Sequence, residues 1–319
     1  MPLIATLTLN PALDVSTETA EVRPTHKLRC SAPRYEPGGG GINVARVVHA
    51  LGGAVTAVYP SGGPTGAMLD SLLRAAGVPI VPVPIAGITR ESFTVDEGGS
   101  GVQHRFVMPG PRLDAEELAR LMDALTGLAG PPAYMVASGS LPPTCDPAIF
   151  HALSDLTRRI GARLVIDTSG AALAACEGSG AYLIKPSLRE VEDLVGRALT
   201  TEADECAAGR ELLARGFAEV VVISLAERGA LLVSEDTELR MAAIDVPVGS
   251  AVGAGDSMVG AMTLALAHGK TLEDTLRYGI AAGAAALITP GSELARRDDV
   301  ERLYAAARSA SASGAAKRP

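Results

Sequence analysis

The stretch Ser250-Ala251-Val252-Gly253-Ala254-Gly255-Asp256-Ser257 constrains this chain more than any other. The apolar run from Ala242 to Val248 before it predicts a strand, and Met258 to His268 after it is apolar on all sides, as a buried helix would be. The glycines between them turn the backbone. A strand, a glycine turn and a helix start put free N–H groups and the positive end of a helix dipole at one place, which makes an anion site. Phosphate fits such a site. Asp256 sharpens the reading, because a carboxylate next to a bound phosphate is repelled unless it has a task, and taking a proton from an attacking hydroxyl is one. The octet therefore points to phosphoryl transfer to an alcohol, with an ordinary helix cap as the competing role for Asp256.

A chain of 319 residues that is 47% hydrophobic and 20% charged, with 35 Gly, can bury one large α/β core or two smaller ones. Its net charge of -8 and pI of about 5.2 argue against nucleic acid or an anionic membrane as partner. An anionic ligand then has to be held by a few local basic residues. The start Met1-Pro2-Leu3-Ile4 lacks a basic region followed by a long apolar one, and no later run is apolar enough to span a bilayer, so the expected location is cytoplasmic. Cys30, Cys145, Cys176 and Cys206 are scattered with no C-x-x-C, and read as reduced and structural.

Leu3 to Leu9 predicts a strand ending at Asn10-Pro11, with Asp14 just past the turn, where α/β sheets place ligand-binding groups. Residues 15–37 are polar and β-branched, carry Lys27, Arg29 and Arg34, and read as an excursion from the main sheet. The run Gly38-Gly39-Gly40-Gly41-Ile42-Asn43 then leads into a helix with an apolar stripe that stops at Gly52-Gly53. Four consecutive glycines are entropically expensive to order, so close approach of a ligand explains them better than a linker does. Asn43 offers an amide to a polyol or caps the helix. Thr89 to Val95 and Val102 to Met108 form a hairpin signature around 96–101, placing Arg90 and Arg105 either against a phosphate or on a solvated face.

Further along, Asp114 with Glu117 and Thr201 with Asp204 predict capped helix starts, and Asp146-Pro147 another. Strands are expected at Ala133 to Ala137, Arg163 to Asp167, Ala181 to Ile184, Glu219 to Ser224 and Ala230 to Ser234. A helix from Thr271 to Leu287 would pack beside that of the octet, Asp298 would cap a last one to about Ala307, and 309–319 would be a mobile tail. Repeated βα units imply a doubly wound, mostly parallel sheet with helices on both faces, plus a small β layer built from 15–37 and 88–109.

With both glycine turns identified, the chain resembles the ribokinase-like, PfkB-type carbohydrate kinase family. Gly38 to Ala45 is similar to the family's first signature and Val252 to Ser257 to its second. The pieces Thr8 to Asp14, Arg105 to Gly110 and Ser138 to Pro143 resemble its phosphofructokinase branch. The resemblance implies a ribokinase-like fold whose main domain takes 1–14, 38–87 and 110–308, while 15–37 and 88–109 make a β lid and dimer clasp. It implies ATP-dependent phosphorylation of fructose 6-phosphate at the C1 hydroxyl, a step of glycolysis, with Mg²⁺ as cofactor and room for K⁺. Asp256 would be the base, and the N–H groups of Gly253, Ala254 and Gly255 would stabilise the transferred phosphoryl. Asp14, Gly39, Gly40 and Asn43 would hold the sugar hydroxyls. Arg90, Arg105 and Ser140 would bind the 6-phosphate, with Lys27 reaching into a neighbouring subunit's site of a homodimer. Lys185, Ser187, Ser224, Ala226 and Gly229 would face the nucleotide, and Glu190 would help to position Mg²⁺.

Departures from the family pattern are Ser187 for Asn, Ala251 for Thr and Ala226 for Gly, all expected in the nucleotide and metal half. Tagatose 6-phosphate or fructose 1-phosphate kinases would use nearly the same residues. A non-catalytic sugar-phosphate sensor would explain the departures but not an intact Gly-Ala-Gly-Asp. A dinucleotide oxidoreductase is disfavoured, since Asn-Pro rather than G-x-G-x-x-G follows the first strand, and no Walker A lysine is present.

Overall fold

The run Leu3–Leu7 is buried except at its first residue and lies in the interior of the main sheet, with strands on both sides. In the computed structural model, which describes residues 1–100, 102–289 and 293–315, the strands are β1 (Leu3–Leu7), β2 (Ala12–Thr19), β3 (Arg34–Gly38), β4 (Ala54–Ser61), β5 (Ile80–Pro84), β6 (Arg90–Glu97), β7 (Gln103–Val107), β8 (Tyr134–Ser138), β9 (Arg163–Asp167), β10 (Ala181–Ile184), β11 (Ala218–Ser224), β12 (Ala230–Ser234) and β13 (Glu238–Met241). The helices are α1 (Gly40–Ala50), α2 (Gly63–Ala75), α3 (Ala115–Thr126), α4 (Ile149–Ile160), α5 (Gly170–Ala174), α6 (Leu188–Val195), α7 (Glu202–Ala214), α8 (Ala254–Ala267), α9 (Leu272–Ile288) and α10 (Arg297–Ala315).

Among the described residues, nine strands form one sheet in the order β13-β12-β11-β10-β9-β8-β1-β4-β5, parallel except where β12 and β13 are added antiparallel at one edge. Helices cover both faces. One core takes Ile42, Val47, Val259, Met262 and Ala281 from α1, α8 and α9, and the other takes Leu121, Phe150, Val191 and Leu212 from α3, α4, α6 and α7. The chain lays β4 and β5 on one side of β1 and later β8 on the other, so the strand order reverses at β1 and β8. A ligand crevice is expected at the carboxyl ends of the strands there.

The remaining strands form a second sheet in the order β3-β2-β6-β7. Its register sets Ala12 opposite Arg90, Asp14 opposite Ser92 and Thr94 opposite Arg105, so these side chains share one face. Tyr35, Val15, Phe93 and Phe106 form a row on the other.

The capping boxes at Asp114 and Thr201 form as expected. Several boundaries differ. The run Ala242 to Val248 is not a strand: the ladder with β12 ends at Met241 opposite Ala230, Pro247 has no N–H to give, and Ile244 and Val246 pack on the core without pairing. The octet's helix starts at Ala254, a turn earlier than Met258. Asp14 lies inside β2, in the second sheet rather than at the end of the first. After Asp146-Pro147 the carboxylate of Asp146 accepts from Ala148 N–H at 2.9 Å, and the helix begins only at Ile149. The last helix begins at Arg297 and runs past Ala307 to Ala315, as its alanine content favours, so 309–315 is helical. Gly101 of the hairpin turn and 316–319 lie outside the described residues. Among the described residues no helix is long and apolar enough to cross a membrane.

Candidate active site

Both glycine signatures start helices. Gly39 is the N-cap of α1 and Gly253 that of α8. Gly253 has φ 74°, a left-handed conformation that favours glycine, and a Cβ there would displace the end of the Leu294 side chain, 2.4 Å away. In the first run the crowding comes from the chain itself: a Cβ on Gly40 would sit 2.3 Å from Ser138 Oγ, and one on Gly41 2.6 Å from the Leu7 carbonyl. These glycines let α1 sit tight on the ends of β1 and β8.

Asp256 is the third residue of α8 and does not cap it, since Gly253 holds that position. Its Oδ2 accepts from Asn43 Nδ2 at 2.9 Å, tying the first turns of α1 and α8 together. Burial, and then the negative charge of Asp167, push the Asp256 carboxyl up to about 7, against the pull of Asn43 and Lys185. A carboxyl that changes charge near neutrality follows.

A cavity of about 280 Å³ lies between this turn and the second sheet, lined by Asp14, Gly39, Asn43, Arg90, Arg105, Gly253 and Asp256 among others. Burial raises Asp14 to about 6 despite Arg90 and Arg105. Arg90 donates to the carbonyls of Met108 at 3.0 Å and Asn10 at 3.1 Å, while its buried Nε has no partner. Arg105 is exposed on the cavity face. Ser140 accepts from Asn10 Nδ2 at 3.1 Å beside this group but does not line the cavity. Lys27 is exposed in the connection between β2 and β3, also outside it.

The residues expected on the nucleotide side gather on the neighbouring strand ends. Lys185, just past β10, is buried with its Nζ 3.2 Å from Asp167 Oδ1. Burial alone would lower its pKa, but the negative charges of Asp167, Asp256 and Glu190 together hold it above the ordinary value. A Cβ on Gly255 would lie 3.5 Å from the same Nζ, so the ammonium reaches the start of α8, where Ala254 is the first residue. Ser187 caps α6 in a capping box: its N–H and Oγ donate to Glu190 Oε2 at 2.7 and 2.8 Å. Ser224 bridges to Ser187 and donates its N–H to Pro186 O at 2.9 Å. Ala226 to Arg228 form a single 3₁₀ turn ending at Gly229.

Two residues escaped the sequence reading. Asp167 touches Lys185 and acts electrostatically on Asp256; the available signal was an acid at the carboxyl end of a predicted parallel strand. Asn10 holds Ser140, and only its place in a turn was visible. Ala251, expected on the nucleotide side, lines the cavity that Asp14 and Arg105 share with Gly253 and Asp256.

A glycine-led helix start, a buried carboxyl and facing arginines on a doubly wound sheet fit a phosphotransferase of the ribokinase-like class. The chain belongs to the pfkB family: the pfkB family carbohydrate kinase profile matches residues 8–298. It is 51% identical over 303 residues to the ATP-dependent 6-phosphofructokinase isozyme 2 of Mycobacterium tuberculosis (strain ATCC 25618 / H37Rv), covering 95% of this chain and 89% of that one. It is 44% identical over 306 residues to the protein of the same name from Escherichia coli (strain K12), covering 96% and 99%. Solved structures of phosphofructokinase-2 from Escherichia coli, one with potassium and one with fructose-6-phosphate, match with TM-scores of 0.92 and 0.90. Each is 43% identical and covers 96% of this chain and 99% of that one.

Proposed function

We propose that this chain transfers the γ-phosphoryl group of ATP to the C1 hydroxyl of fructose 6-phosphate. The observation that carries the proposal is the single cavity in which Asp256, held by Asn43, faces Arg90, Arg105 and Asp14 from the second sheet. Asp14, Gly39 and Asn43 bind the sugar hydroxyls, with Gly40 behind them. The two arginines and Ser140 bind the 6-phosphate, since a guanidinium meets a phosphate bidentately. Asp256 takes the C1 proton as the oxygen attacks, and the N–H groups of Gly253, Ala254 and Gly255 at the start of α8 receive the charge that develops on the phosphoryl oxygens. Lys185, Ser187, Ser224, Ala226 and Gly229 take the nucleotide.

Among the described residues no three His, Cys, Asp or Glu are placed to hold a metal ion. Mg²⁺ is usually held by one or two carboxylates with water and substrate phosphates. Glu190 is the carboxylate proposed to position it, and when bound Mg²⁺ neutralises phosphate charge. K⁺ is proposed as a second ion, because a solved structure of the related phosphofructokinase-2 from Escherichia coli is in complex with potassium. A cytoplasmic homodimer is proposed, the 15–37 and 88–109 layer serving as lid and clasp, with Tyr35 and Phe106, 39% and 51% exposed, on its outer face and Lys27 reaching the neighbouring site.

A coupled assay of ADP release against fructose 6-phosphate, tagatose 6-phosphate and fructose 1-phosphate tests the substrate. The highest kcat/KM is expected for fructose 6-phosphate. A preference for fructose 1-phosphate would move the phosphate site, and absence of turnover with all three would favour a sugar-phosphate sensor.

A further inference from the structure

Glu205 on α7 is 1% exposed, which is rare for a carboxylate. Its Oε1 lies 2.7 Å from Arg228 Nη2 and its Oε2 2.5 Å from Arg240 Nη2, so one buried charge is clamped by two guanidiniums. The three residues come from three elements. Arg228 belongs to the 3₁₀ turn after β11, and Arg240 to the edge strand β13. Such a group is weak evidence of stability, because apolar residues of the same volume often do as well; its better-attested use is to select one arrangement of the backbone.

The backbone selected here is an unfavourable one. Ala226 has φ 51°, the left-handed region that a residue with a Cβ disfavours, and it is one of two such non-glycine residues among those described. The turn that contains it is closed by Leu225 N–H donating to Gly229 O at 2.8 Å and follows Ser224, whose N–H donates to Pro186 O beside Ser187. Arg228 is therefore bolted to α7 two residues from a strained alanine, in the turn that borders the nucleotide-side loop.

We infer that Glu205, acting through Arg228, is a positioning residue for the nucleotide: it holds the Ala226–Gly229 turn in the conformation that receives ATP, against the preference of Ala226. This rests on the reading that the turn faces ATP. Without the Arg228 link the alanine relaxes, and the binding-competent turn becomes a fraction of the population.

The test uses Arg228→Met, which keeps the stem of the side chain and leaves Glu205 paired with Arg240, so no buried charge is stranded. Steady-state kinetics should show KM for ATP raised roughly 2- to 30-fold with KM for fructose 6-phosphate unchanged. Calorimetric titration with a non-hydrolysable ATP analogue should show the same loss. The same change should cost less in a chain that already carries Ala226→Gly, because glycine has no preference for leaving the left-handed region. Unchanged ATP affinity in Arg228→Met, equal losses for both substrates, or an undiminished effect alongside Ala226→Gly would each overturn the inference. If the wild-type chain itself does not bind the analogue, the ATP reading falls and this inference with it; wild-type binding that ignores Arg228→Met sinks only the inference.

Discussion

Asn43 Nδ2 stands 2.9 Å from Asp256 Oδ2, although 213 positions separate the two residues in the chain. The contact joins the first turns of the two glycine-led helices and aims the carboxylate into the cavity. A neutral donor is the gentler choice here, since a cation in its place would hold Asp256 ionised and make it a poorer base.

Asp256→Asn should lower kcat by ~10²–10⁴ and leave the affinity for fructose 6-phosphate nearly intact, because only the proton acceptor is lost. Stopped assays with calorimetry separate the two quantities. Near-normal kcat would falsify the assignment, and since Gly253 holds the cap position, the variant does not remove the helix cap.

The rate should climb with pH through about 7, where Asp256 gives up its proton and becomes a base. The stability effect has the opposite sign. Between about 4 and about 7 the folded state holds a proton that the unfolded chain has lost, so the ionised carboxylate destabilises the fold progressively as pH rises through this window and fully above it. Asp256→Asn should therefore raise Tm at pH 8, with a gain that shrinks toward pH 4. A gain that grows on acidification would contradict the raised pKa.

Arg90 and Arg105 should behave differently. Arg105 is exposed, so Arg105→Ala should weaken fructose 6-phosphate by roughly 10- to 150-fold, spare unphosphorylated fructose and leave Tm alone. Arg90→Ala should show the same ligand selectivity and also lower Tm, because its guanidinium holds the carbonyls of Asn10 and Met108. Titration with both sugars, alongside thermal melts, checks this; equal losses for the two sugars would remove the phosphate role.

Ser187→Asn should lower KM for ATP by roughly 2- to 13-fold without disturbing α6, since Asn caps a helix about as well as Ser and reaches further. Ala251→Thr, placed on the cavity, should change KM for fructose 6-phosphate as well. An Ala251→Thr effect confined to ATP would return that position to the nucleotide side.

Phe106→Glu should give monomers by sedimentation and lose activity in parallel, if the lid's outer row joins two copies. An active monomer at assay concentration would dismiss the clasp and any part for Lys27 in a neighbouring site.

Much of the architecture was legible in local sequence because its causes are local. Leu3–Leu7, Arg163–Asp167 and Ala230–Ser234 are apolar runs that read as strands, and Asp114 with Glu117 or Thr201 with Asp204 satisfy helix N–H groups within four residues. Ala242 to Val248 misled for the converse reason: whether an apolar run becomes a strand depends on a free edge, and the β12 ladder stops at Met241. The two glycine turns were legible as helix starts, and both do start helices. What surrounds Asp256 was decided only by the tertiary structure, because Asn43 reaches it from α1 while Asp167 and Lys185 act on its charge from the ends of β9 and β10. Electrostatic tuning falls with distance in space, not along the chain. For the same reason a carboxyl that looks like an ordinary Asp in the sequence is pushed up to about 7, and Glu205 gives no local sign of the two arginines that close on it.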